Sequence, residues 1–82
     1  MTVTPVQVAH VGLGAIGREV VRLVLHREDL RLVGVCDIDP ELLGRPIGPL
    51  LGEAAPDDVT VVSSLGEVPA TDGLVVTHTT SS

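Results

Sequence analysis

Three glycines, Gly12, Gly14 and Gly17, follow directly on the apolar run Val6-Gln7-Val8-Ala9-His10-Val11. Few sequence features constrain a fold as tightly. The run is short, β-branched and nearly continuous in apolar residues, as expected of a parallel strand buried on both faces. Pro5 stands at its start, where a missing N–H is tolerated. The glycines mark a sharp turn, and beyond it the pattern changes to helical spacing. A helix is predicted from about Ala15 to Arg27. Ile16, Val20, Leu23 and Val24 fall on one stripe, while Arg18, Glu19 and Arg22 point away to solvent.

The second strand is predicted over Leu30-Arg31-Leu32-Val33-Gly34-Val35-Cys36, with Asp37 at its carboxyl end. Asp39 to Gly44 has the signals of one capped helical turn: Asp39 as N-cap, Pro40 as first helical residue, Gly44 as left-handed stop. Arg45 to Asp58 is rich in Gly and Pro and reads as an irregular connection with a short helix around Leu50 and Leu51. Val59 to Val62 is the third strand. Ser63 to Asp72 is a weakly helical crossover, and Gly73 to His78 is the fourth strand, followed by the hydroxyl run Thr79-Thr80-Ser81-Ser82. Right-handed crossovers then place four parallel strands in the order 3-2-1-4. This is an α/β chain forming half of a doubly wound Rossmann fold.

At the first junction each glycine has its own task. Gly12 permits the tight turn out of the strand. Gly14 lets a pyrophosphate approach the backbone, and Gly17 lets the helix pack closely on the strand. The N–H groups around Gly14, Ala15 and Ile16 lack intrahelical partners and point outward with the positive end of the helix dipole, which makes an anion site. A strand, a G-x-G-x-x-G turn, a helix, a second strand and an acid at Asp37 together form a dinucleotide-binding fingerprint. A P-loop is disfavoured because the five basic residues are all arginine. Asp37 is placed to accept hydrogen bonds from the adenosine ribose and to repel a 2′-phosphate, which favours NAD over NADP; the alternative for it is a turn-capping role. Arg45 on a loop keeps NADP open. Thr77, His78 and Thr79, at the carboxyl end of the fourth strand, are candidates to meet the nicotinamide ribose, against a plain strand end without a ligand.

No catalytic residue and no metal site emerge from the spacings. His10 reads as a packed, hydrogen-bonded core residue, His26 as a helix-end residue, and Cys36 as a small core residue that cannot form an internal disulfide. The chain has no Phe, Tyr or Trp and a formal net charge of −6, which argues against stacking on single-stranded nucleic acid and against nucleic-acid binding generally. A basic leader is missing from Met1–Pro5 and the apolar runs are too short for a membrane span, so the expected setting is cytoplasmic.

The segments from Val11 to Gly17, Val33 to Pro40, Gly44 to Gly52 and Val75 to Ser82 together resemble the amino-terminal domain of dihydrodipicolinate-reductase-like oxidoreductases, nearest the branch containing 2,4-diaminopentanoate dehydrogenase. The resemblance implies an NAD(P)-dependent oxidoreductase acting on an amino-acid-derived amine or imine. A carboxy-terminal α/β domain would supply the substrate contacts, catalytic groups and oligomer interface. Gly12, Gly14, Gly17 and Asp37 carry over as cofactor residues, with Thr77, His78 and Thr79. Residues 1–82 are then one incomplete NAD(P)-binding domain without its substrate domain. One face of Val8, Val11, Val75 and Val76 is expected to lack cover and to drive self-association. The alternatives are a stand-alone NAD(H)-binding regulatory module without catalysis, and a non-functional truncated fragment.

Overall fold

A computed structural model describes residues 4–69 and 72–79 of the chain. Thr80, Ser81 and Ser82, part of the hydroxyl run, lie outside the described residues. The elements are β1 (Val6–Val11), α1 (Ala15–Leu25), β2 (Leu30–Cys36), α2 (Ile47–Leu51), β3 (Val61–Val62), a 3₁₀ turn (Leu65–Glu67) and β4 (Val75–His78). The four strands are all parallel and stand in the order β3-β2-β1-β4, as the sequence predicts for a half Rossmann fold.

Several boundaries move, each for a hydrogen-bonding reason. α1 stops at Leu25 because the Arg27 N–H closes back on the Val24 carbonyl, three residues earlier, which tightens the last turn. The segment from Asp39 to Gly44 is a turn rather than a helix. Asp39 Oδ1 accepts the N–H of Glu41 at 2.9 Å, and Gly44 closes the turn at φ 80°. β3 loses its expected first half because Thr60 makes an antiparallel bridge to Pro46, while the Val59 carbonyl accepts from Ile47. β4 starts two residues late, after Gly73 turns at φ 82°.

The core lies mainly between α1 and the sheet. Val8, Leu13, Val21, Val24, Leu32, Val35, Ile47 and Val61 are buried together there, and each such aliphatic side chain contributes about 1.5–3 kcal/mol. The opposite sheet face is covered more thinly, by Val68 against Ala9 and Cys36. A register shift between Val8 and Ala9 leaves Val33 without a partner on β1. Beyond that extra residue Val35 joins Leu32 on the α1 face, and Val33 and Cys36 pack on the Val68 side. Gly34 allows this, since a Cβ there would lie 2.5 Å from a Val68 methyl.

The helix stripe is not the one expected. Gly17, Val21 and Val24 face the sheet, whereas Ile16 is 72% and Leu23 65% exposed. The apolar residues of α1 spread over more of its circumference than two strands can cover. Arg22 and Arg18 are also less solvated than expected. Arg22 pairs with Glu19 and reaches the Leu51 carbonyl at 3.3 Å, and Arg18 Nε donates to the Leu13 carbonyl at 3.0 Å. That side of α1 therefore meets the end of α2, and the Ile16–Leu23 flank is left exposed. Val8 is buried, contrary to expectation, because α1 covers it, while Val75 and Val76 on the edge strand are each 45% exposed.

Candidate functional site

The carboxyl ends of three neighbouring strands are held in one row. The Gly12 N–H donates to the Cys36 carbonyl at 2.9 Å, and the Thr79 N–H donates to the Val11 carbonyl at 3.0 Å. Asp37, Gly12 and Thr79 consequently stand side by side on the edge where ligands bind in open α/β sheets. Gly12 turns the chain at φ 104°, a conformation that disfavours any side chain.

Of the three fingerprint glycines, two are required by the chain itself. A Cβ on Gly12 would meet the Thr79 carbonyl oxygen at 2.5 Å and the Thr79 hydroxyl at 2.8 Å. A Cβ on Gly17 would run into the Gly12 carbonyl and the same hydroxyl. Gly14 differs. Its backbone is ordinary, φ −69° and ψ −175°, and a Cβ there would have nothing within 4 Å. Neither strain nor crowding calls for glycine at that point, and the space above it is free. Gly14 is also the N-cap of α1, without a side-chain cap and without an acid in the first turn. Among the described residues, no hydrogen bond engages the N–H of Gly14, Ala15 or Ile16. The positive end of α1 is thus left open.

Asp37 lies against this turn. Its Oδ2 accepts the Leu13 N–H at 2.7 Å and its Oδ1 accepts the Asp39 N–H at 2.8 Å. The Leu13 backbone is therefore held at its N–H by Asp37 and at its carbonyl by Arg18. Neither Leu13 nor Arg18 is singled out by sequence patterning. The position of Arg18, directly after the last glycine and one turn from Leu13, is the signal that could have revealed it.

On the other flank, the Thr77 and Thr79 hydroxyls turn inward. His10 is fully buried, with Nδ1 2.6 Å from Thr77 Oγ1 and Nε2 3.3 Å from Thr79 Oγ1. Burial holds its ring below the usual imidazole range. The Gly12 backbone acceptor opposes that shift and His78 adds to it. His78 itself is exposed at the end of β4. Cys36 is buried, and burial pushes its thiol up, with Glu67 acting in the same direction. His26 stands at the end of α1, its Nε2 3.1 Å from Glu53. Arg45 is exposed, and its backbone is tied to Val61 of β3. No group of three His, Cys, Asp or Glu residues able to hold a metal occurs among the described residues, and none of their helices is long and apolar enough to cross a membrane.

The fold defines a Rossmann-type half-domain, and its first βα corner offers open peptide donors beside a carboxylate. No protein-family model matches the chain. The chain is similar to curated proteins named 4-hydroxy-tetrahydrodipicolinate reductase. It is 44% identical to that of Synechocystis over 55 residues, covering 67% of this chain and 20% of the relative. It is 40% identical to that of Nostoc over 52 residues, covering 63% and 19%. These likenesses support a dihydrodipicolinate-reductase-like family. The chain spans about a fifth of the length of the relatives it matches.

Proposed function

We propose that the chain is the nicotinamide-dinucleotide-binding part of an NAD(P)-dependent oxidoreductase of the dihydrodipicolinate-reductase type. The observation that carries this is Gly14, a glycine that the chain has no internal need of, under open space at an uncapped helix terminus. A pyrophosphate there would accept hydrogen bonds from the N–H groups of Gly14, Ala15 and Ile16 and would gain from the α1 dipole. Gly12 and Gly17 shape the turn. The Asp37 carboxylate keeps lone pairs beyond its two backbone bonds, and these suit ribose hydroxyls. Its charge disfavours a 2′-phosphate, so NAD is the favoured form, with NADP the alternative if Arg45 reaches the adenosine end. The Thr77-His78-Thr79 edge would face the nicotinamide half, with His78 exposed and the two threonines contributing backbone rather than hydroxyl.

When bound, the dinucleotide supplies the hydride. This chain's residues bind and orient it. An amino-acid-derived amine or imine, as acted on in the 2,4-diaminopentanoate dehydrogenase branch, would be held by a carboxy-terminal domain. The exposed Ile16, Leu23, Val75 and Val76 suit contact with such a domain or with a second copy. Lone, buried Cys36 fits a reducing, cytoplasmic setting.

The chain has no Trp, Tyr or Phe, so NADH and NADPH titrations can be followed by the dinucleotide's own emission. Gly14→Val should weaken both by at least about tenfold, roughly 1.4 kcal/mol. Unchanged affinity would remove the pyrophosphate from the turn. Asp37→Ala should raise the NADPH-to-NADH affinity ratio, and a constant ratio would remove Asp37 from the ribose site.

A further inference from the structure

A buried histidine on β1 joins two hydroxyls, one on β4 and one just past its end, and the proposed function leaves that cluster unused. His10 lies two residues before Gly12 and is completely enclosed. Its Nδ1 meets Thr77 Oγ1, which lies 3.5 Å from the Ala9 carbonyl. Its Nε2 meets Thr79 Oγ1, which lies 3.5 Å from the Gly12 carbonyl. The two polar atoms of the ring thus bridge the two strands that flank the glycine turn on its β4 side. Thr79 is the residue that fills the space left by the missing side chains of Gly12 and Gly17. β4 is an edge strand, paired along one side only, with β1, and half exposed at Val75 and Val76, so the ring contacts add to a single ladder. An apolar side chain at position 10 would fill the core as well but would remove both ring contacts, leaving each half-buried hydroxyl only its long 3.5 Å approach to a backbone carbonyl.

We propose that His10 is a positioning residue that clamps the carboxyl end of β4 against the glycine turn through Thr77 and Thr79, and so sets where His78 and the Thr79 backbone stand relative to a bound dinucleotide. The clamp is a property of the chain. Its effect on the ligand rests on the dinucleotide reading above.

The test uses the chain with and without NADH, comparing wild type, Thr79→Val, His10→Leu and the double variant. Thr79→Val keeps the shape at a half-buried position, so it serves should His10→Leu fail to fold. Without ligand, the His10 Nε2 resonance should move in Thr79→Val, and the Thr79 amide should exchange at least tenfold faster in both single variants. With NADH, each single variant should lose about tenfold in affinity, and the double variant should be no worse than His10→Leu, because loss of the ring already removes the Nε2–Thr79 contact. An unmoved Nε2 signal, or unchanged exchange at Thr79, overturns the clamp. A changed signal with wild-type NADH affinity overturns the positioning role. Should wild type bind neither NADH nor NADPH, the dinucleotide reading fails, and exchange at Thr79 alone decides whether the clamp exists.

Discussion

At the scale of single residues, one motif contains glycines of two physical kinds. Gly17 is glycine because a backbone carbonyl occupies the place of its Cβ, and a backbone atom cannot rotate away. Gly14 is glycine although nothing in the chain occupies that place. Stability measurements should separate them. Gly17→Ala is expected to destabilise by about 3 kcal/mol, the upper end for forced overpacking, and thus to lower Tm by at least about 10 °C in a domain of this size. Gly14→Ala should stay within about 1 kcal/mol, the range for an N-cap change. Equal effects in thermal melts would contradict the distinction. Patterning alone could name all three glycines but could not rank them, since the atom that excludes a side chain at Gly12 and Gly17 belongs partly to Thr79, far along the chain.

Among the elements, the register shift in β2 has the largest consequence. Strict alternation from Leu32 would place Cys36 on the α1 face. The extra residue at Val33 gives that face to Val35 instead, and Asp37, two residues on, meets the Leu13 N–H. Nothing local in Leu30–Cys36 announces the shift except Gly34, whose meaning appears only when Val68 packs on it. The β1–β4 pair has its own signature. Burial lowers the pKa of His10 from its ordinary 6.5, so between that value and the lower folded value the unfolded chain binds more protons. Stability is therefore complete above about pH 6.5 and declines as pH falls below it. Urea midpoints measured from pH 8 to pH 5 should fall over that range and flatten in His10→Leu. A midpoint independent of pH in wild type would contradict a neutral, buried His10. The carboxylates of Asp29 and Glu67, whose pKa values are lowered by Arg27 and by Ser63 respectively, act in the same direction but only at more acid pH.

Across the whole molecule, apolar surface is distributed unevenly. One flank of α1 is engaged through Arg22 with Leu51, the other exposes Ile16 and Leu23, and Val75 of β4 is half exposed as well. A sheet of this class needs cover on both faces. At high concentration the chain should therefore self-associate, and Ile16→Gln combined with Leu23→Gln should shift its sedimentation toward monomer with little change in Tm. Wild-type chain that sediments as monomer at all concentrations would contradict this.

The alternation of strand and helix, the strand order, the glycine turn and the acid at the end of the second strand are all legible in the residue pattern. These follow from short-range periodicity and from residues whose backbone freedom is intrinsic. Which stripe of α1 is buried, which way Thr77 and Thr79 turn, and that His10 joins them emerge from packing in three dimensions. The threonine and histidine contacts join residues more than sixty positions apart, and the helix stripe is chosen by which strands it covers, so a side chain's partner is set by the packing of whole strands and not by its neighbours in the chain.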